Sequence, residues 1–177
     1  MEFAVLLLTP LLGSLLLAVW GARPRAAEIN IALSFGTFLA AMAVTARVIN
    51  EGNLTAANEQ FFLDPFNVFL VTLTAFVGLT TSIFSRPYMR IEMEHGRLSE
   101  GRLRLYHSMY QLFMTMMLVA LTTNNMGLLW VALEAATLST VLLVTLYRTP
   151  ASLEAGWKYF ILCGVGIAQA LFGTVLL

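Results

Sequence analysis

Glu134 is the residue of this sequence best placed to do chemistry. It is the only charged side chain between Met126 and Tyr147, where every other residue is apolar, small or hydroxylic. A helix of this length, rising 1.5 Å per residue, crosses a bilayer core of roughly 30 Å, and the Glu134 carboxylate then lies about 14 Å from Asn125. An acidic group at that depth costs roughly 2.5 to 3.5 kcal/mol to insert, so it is usually kept for a proton path, an ion site or a buried partner.

The residues around Glu134 leave two interpretations of it open. Thr137 lies one turn further along the same helix face and could hydrogen-bond the carboxyl. Small residues on this helix should let a neighbouring helix approach closely and bury it: Ala132, Ala136, Ser139 and Thr140. Glu134 is therefore either a proton- or ion-handling group or a neutral glutamic acid that is hydrogen-bonded within a helix bundle.

Lys158 and Gln169 are the other polar side chains that could contribute to such a path. Lys158 is flanked by Trp157 and Tyr159, a pattern typical of the membrane interface with the ammonium turned to the headgroups. If Lys158 turned inward instead, its charge would favour the ionised form of a nearby carboxyl. Gln169 lies deep in the last apolar run, where it could bond a neighbouring helix or line a water chain.

The residues that could bind metals or carry redox chemistry are weaker candidates. His95 and His107 are predicted at or outside the membrane interface, as solvated or capping groups. The single cysteine, Cys163, excludes an intrachain disulfide and leaves no cysteine cluster for zinc or an iron–sulfur centre. We expect no cofactor in this chain, and any redox chemistry would belong to a partner.

The composition is that of a membrane protein. Of the 177 residues, 59% are hydrophobic and 11% are charged, far from the usual balance of a soluble domain. The net charge is zero and no basic patch calls for a phosphate partner, so we expect the lipid bilayer and not nucleic acid as the surroundings. The predicted fold class is all-α integral membrane.

Apolar runs and helix breakers predict six transmembrane helices. Asp64 and Pro65 are predicted to cap and open the third of them, and the stretch from Arg86 to Tyr106 is predicted to be a charged loop. The predicted spans are Phe3 to Trp20, Ile29 to Val48, Asp64 to about Phe84, His107 to Leu121, Met126 to Tyr147 and Trp157 to Leu177.

Three segments carry a resemblance to a known family. SRPYMRIEMEHGRLS, TTNNMGLLWVALEAATLSTVLLV and RTPASLEAGWKYFILCGVGIAQALFGTVLL resemble the large antiporter-like membrane subunits shared by respiratory complex I, Mrp-type cation/proton antiporters and membrane-bound hydrogenases, hydrogenase-4 component F among them. The likeness covers most of the chain from Asp64 onward. It implies a fold of about fourteen helices, built from two inverted five-helix repeats that begin at the fourth helix.

The resemblance also implies how the chain is divided. Residues 1–63 would hold two N-terminal helices and an outer loop, residues 64–106 the third helix and a charged cytoplasmic loop, and residues 107–177 the first three helices of an incomplete first repeat. The broken seventh helix and the second repeat would be missing. An apolar run that stops at Leu177 without interfacial residues also resembles a helix cut near its end, so we expect the N-terminal portion of a longer subunit.

The function implied by the resemblance is that of a membrane subunit of a proton-translocating oxidoreductase complex, of the hydrogenase-4/formate hydrogenlyase or NADH:quinone type. The family's proton-channel glutamate falls on Glu134 and a matching lysine on Lys158, with Thr137 and Gln169 as further proton-path candidates. The partners would be other membrane subunits of such a complex. Two alternatives stay open, a structural or assembly subunit that moves no ion and a sodium/proton antiporter subunit.

The arginines and the lysine predict an orientation in the membrane. The loops after the first, third and fifth predicted helices, with the residues just beyond them, hold nine of the ten basic residues, and only Arg47 lies on the other side. The positive-inside rule then makes those three loops cytoplasmic and puts the N-terminus outside. The expected location is the inner (cytoplasmic) membrane of a bacterium or archaeon.

Reporter fusions test this orientation. Fusions after Arg25, Arg97 and Arg148 should report the cytoplasm, and fusions near Glu59 and Asn124 should report the outside, because basic residues are retained on the cytoplasmic side during insertion. Alkaline phosphatase and a fluorescent protein, active on opposite sides of the membrane, give the readout. The reverse pattern would contradict the prediction.

Overall fold

The computed structural model describes residues 2–23 and 25–176, which form six helices and one β-hairpin. The helices are α1 Glu2–Trp20, α2 Ala26–Glu51, α3 Pro65–Glu94, α4 Glu100–Thr122, α5 Met126–Val144 and α6 Pro150–Leu176, and the strands are β1 Leu54–Ala56 and β2 Phe61–Leu63. Within these residues, α1, α2, α3, α5 and α6 are long and apolar enough to cross a membrane. The predicted all-α fold of a multi-pass membrane protein is confirmed.

Consecutive helices pack as neighbours and are joined by short connections, except that residues 52–64 between α2 and α3 form the hairpin. The bundle therefore has two chemically different ends. Three connections lie at one end, which we call the basic end after Arg23, Arg97 and Arg148: the one between α1 and α2, residues 95–99 and residues 145–149. The hairpin and the turn between α4 and α5 lie at the other, which we call the hairpin end. Helix α4 contacts α1, α2, α3 and α5 and is the most enclosed helix of the bundle.

The prediction of a charged loop from Arg86 to Tyr106 is wrong. Helix α3 continues to Glu94 and α4 already begins at Glu100, so only residues 95–99 connect them. Arginine, glutamate, methionine and leucine fill this stretch and are good helix formers, so both helices continue past the apolar span. Gly96 ends α3 with a left-handed φ of 68°, as a glycine after a helix C-terminus commonly does.

Other boundaries also differ from the prediction. Helix α6 begins at Pro150 and not at Trp157, because the Thr149 hydroxyl accepts a hydrogen bond from the Ser152 amide at 3.2 Å and Pro150 occupies the first helical position. Helix α5 ends at Val144, three residues before Tyr147. The predicted capping of α3 is confirmed, since Asp64 Oδ1 accepts from the backbone amide of Asn67 at 2.7 Å.

The outer loop predicted before Asp64 contains the hairpin, which fixes the start of α5. Strand β1 pairs antiparallel with β2, and Phe61 bridges to Thr123 in the turn after α4. Asn124 Nδ2 donates to the Glu59 carbonyl at 3.1 Å, and Asn125 Nδ2 donates to Gln60 Oε1 at 2.9 Å. Asn125 also caps α5 through Oδ1, which accepts from the Leu128 amide, so the hairpin positions the helix that carries Glu134.

An apolar cluster fills the bundle towards the hairpin end. Helices α1 to α4 and strand β2 all contribute side chains to it, and Leu118 of α4 is fully buried among them. Its buried members are Leu6, Ala40, Ala41, Val44, Val48, Leu63, Val68, Val71, Ala75 and Leu118. We refer to this set as the apolar cluster.

Leu118→Ala should lower the free energy of unfolding by about 2 to 5 kcal/mol, because truncating a fully buried leucine leaves a cavity that the neighbouring helices fill only partly. Unfolding of the purified protein in mixed detergent micelles gives the measurement. The matched control is Leu12→Ala on α1, where the leucine is 59% exposed and a change of less than about 1 kcal/mol is expected. Equal losses in the two variants would contradict the position of the cluster.

Candidate functional site

Glu134 lies near the middle of α5. It is the ninth residue of the helix, about 12 Å along the axis from Met126, and its side chain is half-buried. Among residues 2–23 and 25–176, no side chain forms an ion pair with its carboxyl and no donor lies within hydrogen-bonding distance of it. No group of three or more histidines, cysteines or carboxylates in that part of the chain could hold a metal ion.

The buried face of α5 points away from Glu134. Ala132, Ala136 and Ser139 are buried where α5 packs within the bundle, as the small-residue pattern predicts. Residues two positions apart on an α-helix are separated by about 200°, so Glu134 projects from nearly the opposite side to Ala132 and Ala136. The carboxyl is therefore turned away from the best-packed part of the bundle.

Two grooves separate α5 from α6 on either side of the level of Glu134. The groove nearer the hairpin end has a volume of about 210 Å³, with Trp130 and Leu133 on α5 facing Gly166 and Ala170 on α6. The groove nearer the basic end has a volume of about 320 Å³ and is almost entirely apolar. It is lined by Leu138, Val141, Thr145, Leu153, Gly156, Trp157 and Phe160.

The segment of α6 level with Glu134 is open. Because the Thr140 hydroxyl and the Tyr159 hydroxyl are 3.0 Å apart and the helices are antiparallel, Glu134 is level with the stretch around Gly164 and Gly166. A Cβ added at either glycine would meet no atom within 4 Å. This part of α6 therefore leaves unfilled space next to the middle of α5.

Trp130 is a polar neighbour of Glu134 that the sequence did not identify as functional. It lies one turn earlier on the same face of α5, and its indole Nε1 is buried without a hydrogen-bonding partner among the described residues. An indole N–H can only donate, and an ionised carboxylate can only accept. The spacing of four residues between a tryptophan and a glutamate in an apolar helix was the signal that could have suggested this pair.

Thr137 does not bond the Glu134 carboxyl. Its hydroxyl donates to the backbone carbonyl of Leu133 at 3.0 Å, the usual way in which a threonine in a membrane helix satisfies its donor. The Thr137 side chain is buried. It lies on the helix face beside Glu134 but makes no hydrogen bond to the Glu134 carboxyl.

Lys158 and Gln169 lie on the outer face of α6, away from α5. Lys158 Nζ is 2.5 Å from Glu154 Oε1, and both side chains are exposed. Lys158 and Gln169 are eleven residues apart, which is close to three full turns, so they share one helix face. The structure does not bring either of them to Glu134, and α6 buries only Gly156 among its described residues.

The predicted surface location of His107 is wrong. Because α4 begins at Glu100, His107 is the eighth residue of the helix and only 2% exposed, and neither ring nitrogen has a partner among the described residues. His95 is exposed, as expected, and its Nδ1 lies 2.7 Å from the Ile91 carbonyl in the last turn of α3.

A set of buried polar side chains between α1, α2 and α4 also escaped the sequence analysis. Gln111 Nε2 donates to Asn30 Oδ1 at 2.8 Å and to Ser34 Oγ at 3.1 Å. The spacing of polar residues by three or four in otherwise apolar helices was the signal that could have found it. The set, which we call the polar seam, comprises Ser14 of α1, Asn30, Ser34 and Thr37 of α2, and His107, Ser108, Gln111 and Thr115 of α4.

Gly156→Ala should weaken the contact between α5 and α6 and lower the free energy of unfolding by about 1 to 3 kcal/mol. The added Cβ would lie 2.3 Å from Thr145 Cγ2, and a clash at a helix crossing forces the helices apart. Gly164→Ala is the matched control, since its Cβ meets nothing and stability should not fall. A loss in the control but not in Gly156→Ala would contradict the described crossing.

Comparison with known proteins identifies relatives of the whole chain. No family model matches it. It is 46% identical over 176 residues to a hydrogenase-4 component F homolog from Methylacidiphilum infernorum, covering 99% of this chain and 36% of the relative. It is 30% identical over 173 residues to NADH-quinone oxidoreductase subunit N 2 from Thermodesulfovibrio yellowstonii, covering 95% of this chain and 36% of the relative.

A further subunit N, from Rhodobacter capsulatus, is 29% identical over 174 residues, which cover 97% of this chain and 34% of the relative. The chain spans about a third of the length of the curated relatives it matches. These relatives confirm the resemblance to the antiporter-like membrane subunits. The chain belongs to the antiporter-like membrane subunit family, with hydrogenase-4 component F and NADH-quinone oxidoreductase subunit N.

Proposed function

We propose that this chain forms part of a proton-translocating membrane subunit of an oxidoreductase complex and that Glu134 binds and releases the translocated proton. The observation that carries the proposal is the position of its carboxyl, which lies in the middle of a membrane-length helix without a partner among the described residues. The names of the relatives support the type of complex. Other membrane subunits of that complex would be its partners.

The surroundings of Glu134 suit a proton site because the described residues place no cation and no hydrogen-bond donor in contact with its carboxyl. An ionised carboxylate at membrane depth is costly unless a cation, a donor or water approaches it. The buried Trp130 N–H can supply one donor, and the open grooves beside α6 leave room for others. A movement that brings or removes such a group would therefore change whether the carboxyl holds its proton.

The other proton-path candidates contribute differently in this proposal. Thr137 shapes the helix face beside the carboxyl. Lys158 and Gln169 lie on the outer face of α6, so they would act at a contact between α6 and a neighbouring membrane segment. The basic end would face the cytoplasm and the N-terminus the outside.

The three-part division of the chain belongs to the same proposal, with one change. The division at residue 106 moves to the loop 95–99, because α4 begins at Glu100. The helices α4, α5 and α6 would then open the first repeat. The N-terminal helices α1 and α2 would enclose α4 from the other side.

The alternatives receive less support from the geometry. A purely structural glutamic acid should be hydrogen-bonded within the bundle, and no donor among the described residues lies within hydrogen-bonding distance of the Glu134 carboxyl. A sodium ion needs several oxygen ligands, and Glu134 is the only acidic side chain of α5. A proton needs only the carboxyl itself.

Glu134→Gln in the complete membrane complex should abolish most proton translocation per turnover, because the amide keeps the size and hydrogen bonding of the side chain but cannot titrate. Proton uptake and substrate turnover should be measured in the same vesicles. Glu134→Asp, which keeps a titratable group, should retain part of the translocation.

Glu51→Gln is the matched control, since this exposed carboxylate pairs with Arg47 and lies at the end of α2. It should leave translocation within about twofold of wild type, because an exposed ion pair contributes less than about 1 kcal/mol. Unchanged translocation in Glu134→Gln would reject the proton-carrier role. Loss of the assembled complex in both Glu134 variants would favour a structural role instead.

A further inference from the structure

A cleft opens at the basic end between the connection that follows α1 and the helices α2, α3 and α4. Its volume is about 360 Å³, and its lining includes Arg23, Arg86, Arg90, Glu100 and His107. Arg86 is paired with Glu28 at 2.8 Å, and the Arg23 guanidinium lies over the Trp20 ring, so two of the three arginines are held at the edge of the cleft. The charged residues mark the end that meets water, and His107 is the buried member of the lining.

His107 shows that the inner part of the cleft is polar. Its side chain is 2% exposed, yet both Nδ1 and Nε2 lack a hydrogen-bonding partner among the described residues. A neutral imidazole carries one donor and one acceptor, and leaving either unsatisfied in an apolar setting is unfavourable. A small polar ligand in the cleft would satisfy the ring nitrogens of His107.

The polar seam continues from His107 with two more unsatisfied atoms. Gln111 lies one turn further along α4, and within the described part of the chain its Oε1 lacks a partner, as does Nδ2 of Asn30. Exchanging the oxygen and nitrogen of either amide does not remove the deficit, because only one atom of each amide faces the other. Four polar atoms on three neighbouring side chains therefore call for ligands that both donate and accept.

Towards the hairpin end, the polar seam stops at residues whose hydrogen bonds are satisfied. The Thr115 hydroxyl donates to the Gln111 carbonyl at 2.8 Å and the Thr37 hydroxyl to the Leu33 carbonyl at 2.9 Å, so both are satisfied within their own helices. Beyond them the apolar cluster begins with Ala41 and Leu118, both fully buried. A polar route from the basic end would stop at this level.

We propose that the cleft is the mouth of a water-filled inlet that leads to His107 and holds bound water between the His107 ring, Gln111 Oε1 and Asn30 Nδ2. Water is the ligand that fits, because a buried water makes two to four hydrogen bonds and can donate to Gln111 while it accepts from Asn30. At about 30 Å³ per molecule in the liquid, the cleft has room for on the order of ten waters. The inlet is separate from Glu134, which lies on α5 and faces α6.

Cysteine labelling of the full-length protein tests the inlet. In a Cys163→Ser background, His107→Cys and Gln111→Cys should react with the small anionic reagent sulfonatoethyl methanethiosulfonate, more slowly than Arg90→Cys at the mouth. Leu118→Cys in the apolar cluster should react at least tenfold more slowly than His107→Cys. Labelling of Arg90→Cys without labelling of His107→Cys would overturn the proposal, as would equal labelling of His107→Cys and Leu118→Cys.

The unsubstituted protein gives a second test that does not depend on how the variants fold. Diethyl pyrocarbonate modifies accessible imidazole nitrogens, and the chain has only two histidines, which separate into different peptides for mass spectrometry. Exposed His95 serves as the internal control. Modification of His107 in the native protein supports the inlet, and a fully modified His95 beside an unmodified His107 would overturn it.

Discussion

The hydrogen bonds of Gln111 impose the main constraint on this bundle. Inside a bilayer a polar side chain cannot turn to water, so its partners must come from the protein itself or from a hydrated cavity. Gln111 bonds Asn30 and Ser34 of α2, and one turn earlier Ser108 Oγ donates to the Ser14 carbonyl of α1 at 3.0 Å. These contacts fix the angular position of α4, and the faces that α4 presents to α3 and α5 follow from it.

The polar groups of this bundle lie in two different kinds of environment. In the polar seam most groups are paired within the bundle, and His107, which has no partner among the described residues, lines a cleft at the basic end. The Glu134 carboxyl on α5 lies apart from the polar seam. The buried face of α5 packs against the bundle, and Glu134 projects from the opposite side of the helix. The hydrogen bonds of the polar seam stabilise the packing of α1, α2 and α4. The environment of the ionisable Glu134, in contrast, depends on what lies beyond α6.

The sequence predicted the fold class and the central acidic residue because both depend on local pattern. A single carboxylate in a long apolar run identifies Glu134 as an acidic residue at membrane depth, and Asp64 followed by Pro65 indicates the start of a helix. The extent of α3 and α4 beyond the membrane could not be predicted from hydropathy, since charged helix formers such as Arg90 and Glu92 look the same in a loop and in a projecting helix. The mistake at the start of α4 then misplaced His107 by seven residues. The pairing of Gln111 with Asn30 depends on residues 81 positions apart, which no local pattern encodes.

The low hydropathy of α4 bears on how the chain enters the membrane during synthesis. Of the six described helices, α4 alone lacks an apolar window long enough to partition into lipid unaided. The side chains that satisfy its polar face belong to α1 and α2, which leave the ribosome earlier. We therefore expect α4 to be retained beside the translocon until it docks on the preassembled N-terminal pair, so that substitutions at Ser14 or Asn30 would appear first as biogenesis defects of a helix more than 60 residues downstream.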